Sequence, residues 1–142
     1  MELIRLGPGD YERVVELWRC SGLSIRPAGR DSKEAFAHQL ASGVQAILAY
    51  QLGSELIGAV VTTHDSRKGW INRLAVHPAW QRQGIGTRLI KDAEKHLHDQ
   101  GIEVIAALIF ETNIRSTAAF RKAGYVPETE ILYFSKRPNT EV

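Results

Sequence analysis

Between Val76 and Thr87 the chain reads Val-His-Pro-Ala-Trp-Gln-Arg-Gln-Gly-Ile-Gly-Thr, and no other stretch limits the fold so strongly. An apolar run from Trp70 to Val76 enters it. Ile85, Leu89, Ile90, Ala93 and Leu97 leave it on one helical face. His77-Pro78 stops the strand, because proline has no amide to donate to a ladder. A buried strand must therefore feed at once into an amphipathic helix. At such a junction unpaired N–H groups and the positive end of the helix dipole converge. Gly84 and Gly86 remove Cβ atoms that would hold an anion off the backbone, and Arg82 and Arg88 add positive charge. The reading is a turn built for a diphosphate.

Two familiar phosphate turns do not fit. A P-loop needs Lys-Ser/Thr after its last glycine, and here Thr87-Arg88 follows Gly86. A dinucleotide fingerprint needs a small residue where Leu89 stands. Net charge is +2, from 18 basic and 16 acidic residues, with no dense basic stripe. That argues against nucleic acid as a partner.

The remaining pattern arranges elements around this junction. Leu3 to Leu6 is a short strand, and Asp10 is placed to cap a helix carrying Tyr11, Val14, Val15 and Trp18 inward. Ser21 to Gly29 is a loop. A second helix starts at Asp31, whose spacing to Glu34 matches a capping box, and ends at Gly43. Ala46 to Gln51 and Glu55 to Thr63 form a hairpin, and Trp70 to Val76 is the third long strand. Gly101 should stop the third helix. Glu103 to Phe110 reads as a central strand covered on both faces. Asn113 caps a last helix ending near Gly124. Tyr125-Val126 and Ile131 to Ser135 are terminal strands, and the tail from Pro138 frays. At 142 residues this is one domain, residues 1–142, of the α/β (α+β) class with a mixed sheet.

Gln81-x-x-Gly84-x-Gly86, together with the strand Ile71 to Val76 and its His77-Pro78 exit, resembles the signature of the GNAT superfamily of acyl-CoA N-acyltransferases. Asn113 to Tyr125 is similar to that superfamily's asparagine-bearing helix. The likeness covers nearly the whole chain in element order and is specific from about Trp70 to Tyr125. It implies a three-layer sandwich, with a twisted and mostly antiparallel sheet between helices. It also implies acetyl-CoA as cosubstrate and no metal. In that likeness Leu74, Ala75 and Val76 pair with the pantetheine arm. The amides of Arg82, Gln83, Gly84, Ile85, Gly86 and Thr87 hold the diphosphate. Asn113 bonds the pantetheine or thioester region, and Phe120 is either a wall for the cofactor or plain core. Asn113, Thr117 and Phe120 share one helical face, which leaves Ile114 and Ala118 on another for packing.

The catalytic groups depart from the family's pattern. Phe120 stands where relatives often carry a tyrosine acid, and phenylalanine has no proton to give. Tyr133 is the second candidate for that role and Tyr125 the third. Trp70 and Leu108 occupy positions where relatives carry glutamates. The Leu108 position counts against the branch that acetylates ribosomal-protein N-termini. Glu111 is the best remaining carboxylate for a base, with His64 and Asp65 behind it.

The expectation is therefore an N-acetyltransferase acting on a primary amine of a small molecule or protein. The alternative is a non-catalytic acyl-CoA-binding sensor or interaction module of the same fold. The one cysteine, Cys20, excludes an internal disulfide. Neither a secretory leader nor a spanning apolar run is evident, so a cytoplasmic protein away from membranes is expected. A homodimer is left open.

Overall fold

A computed structural model describes residues 1–142. Its elements are β1 (Glu2–Arg5), α1 (Tyr11–Cys20), α2 (Lys33–Ala41), β2 (Gln45–Leu52), β3 (Glu55–His64), β4 (Lys68–Val76), α3 (Ile85–Asp99), β5 (Val104–Ala106) and α4 (Ile114–Lys122). The strands form one sheet in the order β1-β2-β3-β4-β5. The first three pairings are antiparallel and β4 to β5 is parallel, so the sheet is mixed. Short connections make the antiparallel pairs, whereas α3 supplies the long crossover that a parallel pair needs.

Strand alternation sends side chains to two cores. Ile47 and Ala49 of β2 meet Val14, Trp18 and Phe36 of α1 and α2 on one face. Leu48 and Tyr50 meet Leu89 and Phe120 of α3 and α4 on the other. Helices therefore cover both faces, as a three-layer sandwich requires. α3 ends as its sequence dictates. Gly101 adopts φ +84°, its N–H donates to His98 O at 2.9 Å, and Ile102 N–H donates to Leu97 O at 3.1 Å.

Four expectations are corrected. Asp10 stands at the N-cap of α1 but its side chain makes no capping bond; its carboxylate accepts from Gly7 N–H and pairs with Arg13. Asp31 does not cap α2 either. Ser32 does, accepting from Ala35 N–H at 3.1 Å, while Asp31 is drawn inward by Arg73. Glu103 to Phe110 is not a covered central strand. Only Val104–Ala106 pair, on the β4 side alone, and Phe110 is 86% exposed. The terminal strands are absent: Tyr125-Val126 and Ile131 to Ser135 join no ladder. Apolar content alone does not supply the partner a strand needs. The chain's last residues also do more than fray, since Glu141 and Val142 lie against Gly29 of the loop after α1. No helix is long and apolar enough to cross a membrane.

Candidate functional site

β4 and β5 part company after Trp70, the last paired residue of β4 on that side. The edge of β4 from Leu74 to Val76 is therefore open toward α4. A cleft of about 440 Å³ fills this notch. Leu74, Ala75 and Val76 form its floor, the turn from Trp80 to Thr87 one end, α4 a wall, and Ser21 and Leu23 the opposite rim. Opposite Val60, β4 carries a bulge. Ala59 faces Ala75 and Val61 faces Asn72, so Arg73 and Leu74 share one position, and Arg73 adopts φ +51°.

Backbone geometry leaves the amides of the turn free. Arg82 and Gly84 take left-handed φ values of +65° and +80°, which folds successive N–H groups toward one concavity. From Arg82 through Thr87 no amide donates to any protein acceptor. Gly84 is thus present for its φ. A Cβ at Gly86 would lie 3.8 Å from the side chains of Leu74 and Val76, filling the crevice beneath the turn. The charged residues lining the cleft are Arg82, Arg115 and Lys122, with no carboxylate among the lining.

α4 turns differently from its expected orientation. Asn113 caps it, its side-chain oxygen accepting from Ser116 N–H at 3.2 Å, and it also lines the cleft. The cleft-facing stripe is Arg115, Ser116, Ala118, Ala119 and Lys122. Phe120 instead enters the core, edge-on to Tyr125 with ring centres 5.0 Å apart. Ile114 packs against nothing comparable and is 76% exposed. The stripe was open to discovery: Arg115, Ala118, Ala119 and Lys122 fall at i, i+3, i+4 and i+7, small residues between two cations.

Of the other residues singled out in the sequence, Leu74, Ala75, Val76, Arg82, Gly84, Ile85, Gly86, Thr87 and Asn113 come together in the cleft. Gln83 is exposed beside it. Arg88 does not join them: its guanidinium sits 4.8 Å from the ring centre of Tyr50, whose hydroxyl donates to Asp92. Glu111 is exposed, two residues before Asn113, and Tyr133 lies exposed on the C-terminal segment. Neither lines the cleft. His64 shares a hydrogen bond with Gln100, and Asp65 accepts from the amides of Arg67 and Lys68, which holds its carboxyl below its usual range. Burial, and then the Glu94 carboxylate, push the Tyr125 phenol far up. Burial and Glu16 likewise raise the Cys20 thiol.

The family model of the acetyltransferase (GNAT) family matches residues 11–125. Acetyltransferase SG1711 of Sodalis glossinidius (strain morsitans) is 28% identical over 137 residues, covering 96% of this chain and 95% of that one. Acetyltransferase plu1384 of Photorhabdus laumondii is 29% identical over 139 residues, with coverage of 96% and 95%. Among solved structures, an aminoglycoside acetyltransferase from an uncultured soil metagenomic sample, in complex with sisomicin, superposes with a TM-score of 0.76. It is 19% identical, with 97% and 96% of the two chains covered. A protein of Clostridium acetobutylicum described as a predicted acetyltransferase, with acetyl-CoA, gives 0.77 at 15% identity, with coverage of 94% and 95%. At such identities these two likenesses bear on the fold alone.

Proposed function

The chain belongs to the acetyltransferase (GNAT) family, and from that membership we propose that it transfers the acetyl group of acetyl-CoA to a primary amine, of a small molecule or a protein, by direct attack. One observation carries the reading: the row of unpartnered amides from Arg82 through Thr87 opens onto the free edge of β4. A diphosphate is what such a concavity accepts, and an extended pantetheine is what an open strand edge accepts. The lining fits in charge as well, since Arg115 and Lys122 remain for further phosphate.

In the reaction the amine nitrogen attacks the thioester carbonyl carbon, the C–N bond forms, and the C–S bond breaks. Backbone N–H groups at the β4 bulge, Leu74 to Val76, polarise the carbonyl as negative charge gathers on its oxygen. The amine must first lose a proton, and Glu111, beside the Asn113 cap, is the assigned base. With phenylalanine at 120, CoA leaves as the thiolate. An ordinary thiol pKa of about 8.5 makes that departure tolerable. Asn113, Arg82, Gly84, Ile85, Gly86 and Thr87 bind; Glu111 moves the proton.

A second reading, an acyl-CoA-binding module without turnover, is favoured by one feature: no carboxylate or phenol lines the cleft. Calorimetry with acetyl-CoA and a thiol-release assay against a panel of amines separate the cases. Binding with turnover is the expected result, and Glu111→Gln should lower the rate while leaving affinity for CoA alone. Binding without turnover on any amine would establish the module. No binding would remove both.

A further inference from the structure

Arg73 occupies the bulge of β4 yet spends its side chain on another part of the molecule. Its guanidinium donates to Ser24 O at 2.6 Å and to Asp31 Oδ2 at 2.8 Å, and it lies 4.7 Å from the ring centre of Trp18. Asp31 is only 8% exposed and is itself knotted into the loop between α1 and α2. Its Oδ2 accepts from Arg26 N–H at 2.6 Å, its N–H donates to Arg26 O, and its carbonyl accepts from Tyr11 Oη at 2.6 Å. Ser21 and Leu23 at the head of this loop form the rim that faces Leu74 and Ala75.

We infer that Arg73 is a positioning residue that fixes the distance and angle between the rim at Ser21 and Leu23 and the bulge amides of β4. The inference rests on the reading of β4 as the strand that receives the thioester. Three features support it. A non-glycine residue at φ +51° is strained, and such backbone persists only where surrounding contacts over-determine it. The three contacts are of kinds that guanidinium makes together: a fork shared between two oxygens, and a flat cation on an indole face. Finally, the ion pair joins two segments 42 residues apart, so it orders the loop relative to the sheet and not merely within itself. Rim and bulge must move as one body.

The test uses Arg73→Lys, which keeps the charge and loses the fork, and Asp31→Asn, which keeps an acceptor for Arg26 N–H and loses the ion pair. Arg73→Gly is the second line, because glycine accepts the left-handed φ and so retains the fold if lysine does not. Amide exchange at Arg26, Gly29 and Asp31 should quicken by about tenfold or more, with Ile47 and Val60 unchanged. The ratio of acetyl-CoA to CoA affinity reads the carbonyl contact at the bulge. It should fall by about threefold or more in Arg73→Lys while the CoA affinity itself stays within about twofold. A merely structural role would lower melting temperature and leave that ratio intact. Unchanged loop exchange, or an unchanged ratio in variants with freed loops, overturns the inference. If the wild-type chain bound neither ligand, the acetyltransferase reading would fail first, and the exchange experiment would still decide whether Arg73 ties the loop.

Discussion

The side-chain amide of Gln81 donates to the backbone oxygen of Val76 at 3.0 Å, closing a ring between the last residue of β4 and the turn that follows. This bond gives the glutamine of the Gln-x-x-Gly-x-Gly pattern a mechanical role. It holds the turn upright at the strand end, so that the amides from Arg82 onward point into the cleft.

Gln81→Leu keeps the bulk and deletes the donor, leaving the Val76 carbonyl without its partner. A net hydrogen bond of this kind contributes about 1 kcal/mol. The expected outcome is a melting temperature lower by about 2–4 °C, together with a loss of CoA affinity by calorimetry as the turn loosens. Wild-type affinity would show that the turn stands without the ring.

Gly84→Asp should be far more damaging to binding. No atom lies within 4 Å of a Cβ built there, so bulk against the protein is not the problem. The φ of +80° strains any L side chain, and the new carboxylate would sit where a diphosphate is proposed to bind. A drop of about a hundredfold or more in CoA affinity is expected. Gly84→Asn is the control, because asparagine tolerates the left-handed region and adds no charge. It should fall between the two.

The contrast between these two residues and the rest of the chain shows what a sequence can carry. The Gly84-Ile85-Gly86 turn was legible because it is local: strand end, turn and helix start are consecutive, and their chemistry does not depend on distant residues. The same holds for the Gly101 stop. Asp31 was misread because its capping spacing is equally local, whereas Arg73, 42 residues away on β4, takes its carboxylate and leaves the cap to Ser32. The rotation of α4 was misread because three faces of that helix carry apolar or small residues. Packing into the α3 side of the core, with Tyr125 edge-on, draws Phe120 inward. For Glu103 to Phe110 the period was absent altogether, and an unbroken apolar run does not say which edges find partners.

Phe120→Tyr tests that packing directly. The ring is 5% exposed and edge-on to Tyr125, so a new hydroxyl would enter the α3–α4 core. Burying it without a partner costs about 1–3 kcal/mol. A melting temperature lower by several degrees and a turnover rate no higher than wild type are expected. A raised rate at unchanged stability would place this position in contact with the leaving thiol.

His96 sets one arm of the pH dependence of stability. It is half-buried on α3, and desolvation, followed by the Arg5 charge, depresses its pKa below 6.5; Asp99 opposes the shift and His64 reinforces it. A depressed histidine binds its proton more readily in the unfolded chain. As pH falls below 6.5, the unfolded state is therefore protonated first, and stability is lost until the folded-state pKa is passed. Above 6.5 both states hold neutral imidazole and the contribution is level. The carboxylates of Asp10 and Asp99 are also depressed, but they act below 3.8, in a separate window. Urea midpoints taken between about pH 7.5 and about pH 5.5 should decline in the wild type and decline less in His96→Gln. Parallel curves would mean that the ring keeps its full hydration on the helix and that the acid slope arises elsewhere.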